Sequence, residues 1–156
     1  MHMKKLLFLI LALVVGLAAG AQNADKLYTE GKALYDKKHY TEAFPKLKAA
    51  AEKGHKKAQY RLGRCYDKGH GVAEDNRAAF QWYKKSAAQN FAKAQYQLGR
   101  CYKKGKGVTA DAKEAKSWFS KAVNNPKGGD KLVEKLRESA AEGDESAQEA
   151  LALVKK

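Results

Sequence analysis

Ala58-Gln-Tyr-Arg-Leu-Gly-Arg-Cys-Tyr66 returns 36 residues later as Ala94-Gln-Tyr-Gln-Leu-Gly-Arg-Cys-Tyr102. The same interval separates Gly69 from Gly105, Gly71 from Gly107, Val72 from Val108, Asp75 from Asp111, Ala79 from Ala115 and Trp82 from Trp118. A fixed period of this length marks a solenoid, whose units bury their apolar faces against their neighbours. Within one copy, Ala58, Leu62, Cys65 and Tyr66 fall at i, i+4, i+7 and i+8, the stripe of a core-facing helix. Gly63 predicts close approach of another helix. Lys68-Gly69-His70-Gly71-Val72 predicts a helix stop at positive φ. Asp75 is placed to cap the next helix, whose inward face reads as Ala79, Trp82, Tyr83 and Ser86. In the following copy the cap is Asp111, and the inward face is Ala115, Trp118, Phe119 and Ala122.

Upstream, Tyr28-Thr-Glu-Gly31-Lys-Ala-Leu34 aligns with the segment from Tyr60 to Tyr66 at an offset of 32, whereas Ala43 and Phe44 align with Ala79 and Phe80 at 36. The first unit therefore has a shorter inter-helix loop. Its Gly31, Leu34, Tyr40, Ala43 and Ala50 follow tetratricopeptide spacing. Gly54 closes that unit, and Asn90, which also tolerates left-handed backbone, takes the same place in the second. Downstream the pattern breaks at Asn124-Asn125-Pro126-Lys127-Gly128-Gly129. Asp130 is expected to cap a helix reaching about Ala141. Glu145 to Val154 is expected to close the chain, with Ala147, Ala150, Leu151 and Val154 inward. The expected fold is all-α, an α/α superhelical solenoid of antiparallel helix pairs. Three repeats occupy 22–125, and capping helices occupy 126–156.

Lys4 and Lys5 precede an apolar run from Leu6 to Leu17 and an Ala19-Gly20-Ala21 site. That arrangement reads as a secretory signal peptide over 1–21, too short to span a membrane comfortably. Its removal leaves one domain with no stable membrane insertion, in the periplasm or secreted, within a bacterial cell envelope. The remaining chain carries a net charge of +12: 31 basic residues less Lys4 and Lys5, against 17 acids. Only Arg61, Arg64, Arg77, Arg100 and Arg137 are arginines. A reader of nucleic acid uses more of them, so the charge points to an acidic protein or polymer and to no specific nucleic acid. Cys65 and Cys101 sit at equivalent repeat positions. Helices so related lie roughly 8–10 Å apart, beyond the reach of a disulfide, which favours two buried thiols.

The run Leu62-Gly63-x-x-Tyr66-x-x-Gly69-x-Gly71-Val72-x-x-Asp75-x-x-x-Ala79-x-x-Trp82-Tyr83 resembles the SEL-one-like repeat (SLR), a relative of the tetratricopeptide repeat. The copy from Leu98 to Phe119 resembles it as closely. The resemblance implies an α/α superhelix that serves as an adaptor for protein–protein contacts. Cysteine-rich bacterial members bridge the two helices of a repeat; this chain lacks that pairing. The penicillin-binding or β-lactamase-like activities associated with that branch therefore do not carry over.

No enzyme is expected. The serines have no evident base, and the Gly-x-Gly loops lack a preceding strand and a P-loop lysine. His39, His55 and His70 are scattered without ligand spacing, reading as surface residues, so no metal and no cofactor is expected. The chemistry falls to the groove. Registering the units on Gly31, Gly63 and Gly99 aligns Tyr28, Tyr60 and Tyr96, then Lys32, Arg64 and Arg100. It also places Lys57 with Lys93, and puts Lys103 and Lys104 at the end of the third unit. Tyr60, Arg64, Tyr96 and Arg100 are thus the expected partner-binding residues, with Lys57, Lys93, Lys103 and Lys104 raising the local potential. Such a face suits an acidic peptide, because arginine grips a carboxylate through two parallel hydrogen bonds and tyrosine adds rigid contact area. Two alternatives stand beside it. The cations could simply keep the groove soluble while the tyrosines pack inward, or the surface could hold anionic envelope polymers by charge. Trp82 and Trp118 are assigned to the fold. The polar tail suits a capped end and favours a monomer.

Overall fold

The computed structural model describes residues 20–155, and among them every regular element is a helix. Helix α1 covers 20–36. It is followed by α2 (Tyr40–Glu52), α3 (Lys56–Lys68), α4 (Asn76–Ala88), α5 (Ala92–Lys104), α6 (Ala112–Val123), α7 (Gly129–Ala141) and α8 (Glu145–Leu151). Each helix from α2 to α6 packs chiefly on its neighbours in sequence, the contact pattern of an α/α solenoid. None of the described helices is long and apolar enough to cross a membrane. The expected signal over 1–21 lies outside the described residues apart from Gly20 and Ala21, which fall within α1.

The 36-residue period reappears in the backbone hydrogen bonds. His70 N–H donates to Cys65 C=O and Asp75 N–H to Tyr66 C=O; one period on, Lys106 donates to Cys101 and Asp111 to Tyr102. Gly69 and Gly105 end their helices at φ 67° and 65°. The Asp75 carboxylate accepts from Ala78 N–H, and that of Asp111 accepts from Lys113 and Glu114 N–H. These caps satisfy donors that the first helical turn leaves open.

Gly63 does make room, but for a ring rather than a helix backbone. A Cβ there would stand 2.7 Å from the Tyr83 ring, and one on Gly99 would stand 2.4 Å from Phe119. Tyr83 and Phe119, at 1% and 0% exposure, are the large side chains that fill the second and third pairs. Trp82 and Trp118 are only half-buried. Trp82 lies against Ala50, Ala51, Ala58 and Leu62. Each tryptophan ring carries a lysine ammonium, Lys85 at 4.3 Å and Lys121 at 4.2 Å. Their flat outer faces stay wet because the neighbouring aromatic already occupies the glycine seat.

Amide hydrogen bonds tie the two helices of the second and third pairs together at one end. Gln89 Nε2 donates to Gln59 Oε1 at 2.8 Å, and Asn125 Nδ2 donates to Gln95 Oε1 at 2.8 Å, again 36 residues on. Leu132, Val133 and Leu136 of α7, with Ala147 and Ala150 of α8, complete the core begun by Ala115, Phe119 and Ala122. Two expectations fail in this tail. Helix α7 begins at Gly129 after a Gly128 cap that offers no side chain, so Asp130 lies in the first turn and is not the cap. Helix α8 stops at Leu151, leaving Val154 beyond it and 38% exposed.

The loop glycines separate two costs. Gly105 and Gly107 both have positive φ, but a Cβ on Gly105 meets nothing closer than 3.5 Å. On Gly107 it would lie 2.0 Å from the Asn76 carbonyl oxygen at the start of α4. Gly105→Ala should lose about 1–2 kcal/mol from left-handed strain alone. Gly107→Ala should lose about 1–3 kcal/mol more, because backbone must move. Urea denaturation of the two variants measures the gap, and equal losses would show that the inter-unit contact is slack.

Candidate functional site

A cleft of about 410 Å³ opens along the face presented by α1, α3, α5 and α7. Tyr60, Arg64, Lys93, Tyr96 and Arg100 all line it. Lys57 lies beside it, in an adjoining mouth of about 530 Å³ that shares Tyr60, Arg61, Lys93 and Lys135. Lys103 and Lys104 line neither hollow. Lys103 turns to α8, where its ammonium meets the Glu149 carboxylate at 2.9 Å.

The two tyrosines have different settings. Tyr60 is half-buried, with its ring 5.4 Å from Phe91 and 6.0 Å from Tyr83. Tyr96 is 6% exposed and packs on Phe119 at 5.5 Å, so its ring belongs to the core while its hydroxyl faces the cleft. Burial first, then the Asp144 carboxylate, pushes the Tyr96 phenol upward; the two groups still fall short of hydrogen-bond geometry.

Arg64 and Arg100 are half-buried and stand in no ion pair among the described residues, whereas Arg61, one turn before Arg64, is engaged by Asp36 at 3.1 Å. Arg64 lies 5.7 Å from the centre of the Tyr35 ring, which also carries Arg61 at 5.2 Å. Three buried polar atoms around the cleft have no hydrogen-bond partner among the described residues: the Tyr83 and Tyr96 hydroxyls and Arg100 Nε. Desolvated donors left unmade are costly, and arginine fits planar oxyanions. The arrangement can receive a carboxylate.

Sequence reasoning missed two contributors. Tyr35 supports both α3 arginines and is itself tied to His70 Nδ1 at 2.9 Å. Helix α7 forms a wall of the cleft through Leu132, Lys135, Leu136 and Ser139. Tyr35 left a signal in its register with Asp67 and Lys103; α7, lying outside the repeat, left none. Histidine reading also needs correction. His55 caps α3 by accepting from Ala58 N–H and stacks on Tyr28 at 4.3 Å, and His70 stacks on Tyr40 at 3.9 Å. Both are structural ties, and of the described histidines only His39 is exposed. Among the described residues, no three His, Cys, Asp or Glu side chains gather as metal ligands. Cys65 and Cys101 are free and buried, and burial raises both thiols to about 11.

Antiparallel helix pairs repeated at a 36-residue period define an α/α repeat protein. The Sel1 repeat matches residues 56–91 and 92–126. A Sel1 repeat protein from Oxalobacter formigenes shares 32% identity over 89% of this chain and 96% of its own, with a TM-score of 0.62. The chain belongs to the Sel1 repeat family. A protective antigen present in uropathogenic Escherichia coli strains and displaying an SLR fold is 29% identical over 83% of this chain and 28% of that one, with a TM-score of 0.63. Cysteine rich protein B of Helicobacter pylori is 29% identical over 58% and 69% of the respective chains, with a TM-score of 0.52. No curated protein matches. Sel1 repeat proteins generally mediate protein–protein interaction, and the family is typically a non-enzymatic scaffold.

His55 and His70 give the fold a pH dependence. Burial holds both imidazoles below the ordinary value of 6.5; for His55 the Asp25 carboxylate opposes it, and for His70 the Arg64 charge reinforces it. The unfolded chain therefore takes up protons first. The stabilisation is complete above 6.5 and is lost as pH falls through that value towards the depressed folded ones. Urea midpoints should drop between about pH 7.5 and about pH 5.5, with a smaller drop for His70→Gln. A flat profile for the parent protein would remove both histidines from the account.

Proposed function

We propose that the protein is an exported adaptor that holds an acidic segment of a partner protein in the cleft between α3, α5 and α7, within a bacterial cell envelope. The observation that carries this reading is the pair Arg64 and Arg100: half-buried, one repeat apart, in one cleft, and without a carboxylate partner. Removing charged groups from water without compensation is unfavourable, and an incoming carboxylate supplies what is missing. Tyr60 gives the ligand an aromatic wall and Tyr96 offers its hydroxyl. Lys57 and Lys93 draw acidic partners in by long-range attraction. On this reading Lys103 and Lys104 lie at the periphery.

Export rests on the sequence of 1–21, and the role of 126–156 as a terminal cap rests on its burial of Phe119 and Ala122. A second reading, an electrostatic binder of anionic envelope polymers, draws on the mouth, whose charged lining is entirely basic.

Cross-linking capture from envelope extract, comparing the parent with Arg64→Glu/Arg100→Glu, separates the readings. An adaptor should retain a discrete protein that the double variant loses, each arginine contributing about 2–5 kcal/mol. Equal capture by both proteins would place the partner on another face. Binding that collapses with salt and ignores Tyr60→Ala would favour the polymer.

A further inference from the structure

The mouth beside the cleft gathers Lys32, Lys57, Lys93, Lys127, Lys131 and Lys135, together with Arg61, and no acid lines it. Three of those lysines come from α7 and the turn before it, outside the repeats. Lys131 and Lys135 stand four apart on one helix, a spacing at which like charges repel. Of the seven cations, only Lys32 and Arg61 are in ion pairs among the described residues, both to Asp36. Lys93 stays exposed, yet partial burial and then Lys135, Arg61, Arg64 and Lys57 lower its affinity for a proton. The start of α7 opens on the same mouth at Gly128, without a side-chain cap. Its open N–H groups add positive potential.

The neighbouring cleft differs. It contains Asp36, Asp67 and Asp144 as well as cations, and it holds the unpartnered hydroxyl of Tyr83, a residue 1% exposed. Only the mouth is uniformly positive.

We propose that cleft and mouth form one composite site for a run of acidic side chains in a partner protein. One carboxylate reaches Arg64, Arg100 and the Tyr83 hydroxyl, while its acidic neighbours lie along the lysines of α7. The inference rests on the groove reading above and adds α7 as a recognition element. A lone carboxylate would leave the mouth uncompensated, and a polymer held by charge alone would leave Tyr83 without a partner.

The test uses fluorescence anisotropy with a labelled hexaglutamate peptide, acetylated and amidated so that no terminal charge remains, and hexaglutamine as control. The parent protein should bind hexaglutamate and not hexaglutamine. Tyr83→Phe keeps the ring on Gly63 and removes only the hydroxyl; it should weaken binding about tenfold without lowering the melting temperature. Lys131→Glu/Lys135→Glu, at exposed positions, should weaken it at least about tenfold. Unchanged binding in both variants, with loss in Arg64→Glu/Arg100→Glu, would overturn the composite site and leave the groove reading standing. Binding indifferent to all three variants would overturn both. Heparin that displaces the peptide and binds Tyr83→Phe as well as the parent would overturn the peptide assignment in favour of a charge-held polymer.

Discussion

The seating of one aromatic ring on one glycine sets the spacing of everything else in the repeats. Tyr83 lies on Gly63 and Phe119 on Gly99, each closer than any Cβ would permit. These contacts bring the second helix of a pair onto the first. They also fix the rotation of the first helix, because the residues beside the glycine must flank the seat. Arg64 and Arg100 immediately follow those glycines, so the core contact on one side dictates where the guanidinium emerges on the other. Core packing and the placement of the cleft arginines are thus coupled through a single helical register.

The second constraint is electrostatic. The chain has 31 basic residues against 17 acidic ones, and much of its acid is already committed. Asp75, Asp111 and Asp144 cap helices, Asp36 holds Lys32 and Arg61, and Asp67 holds Lys106 at 2.7 Å. Among the described residues no acid forms an ion pair with Arg64, Arg100 or the lysines that α7 brings to the mouth. A fold optimised for stability alone would disperse such charges. Their concentration on one face sets a self-repulsion, which any anion bound there would relieve.

How much of this was legible in the chain depends on whether a feature repeats. The 36-residue interval locates α3 to α6, and the residue types at Gly69, Asp75, Gly105 and Asp111 foretell their caps, because local backbone chemistry decides those positions. Burial within the repeat is less legible: Trp82 and Tyr83 are adjacent and both large, and only the identity of the side chain that occupies Gly63 tells which is enclosed. The histidines escaped for a similar reason. His70 is held by Tyr35 and Tyr40 from the preceding unit, a contact between a loop and the helices α1 and α2 that no helical period encodes. Lys103 shares its register with Asp67 but belongs to the last repeat, where Glu149 of α8 claims it.

The end of the array therefore matters more than its periodicity suggests. A strictly repeating solenoid offers the same shallow surface at every unit, and a ladder of identical residues has no preferred point for a ligand. Helix α7 breaks that equivalence. Its Leu132 and Leu136 bury against the third unit, and the same turns carry Lys131 and Lys135 alongside the open face of α3 and α5. The apolar positions satisfy the exposed end of the core, while their neighbours enclose the cleft and give it a direction. Closing the solenoid and shaping its site are one structural act, because a helix that covers the last hydrophobic face cannot avoid walling the groove beside it.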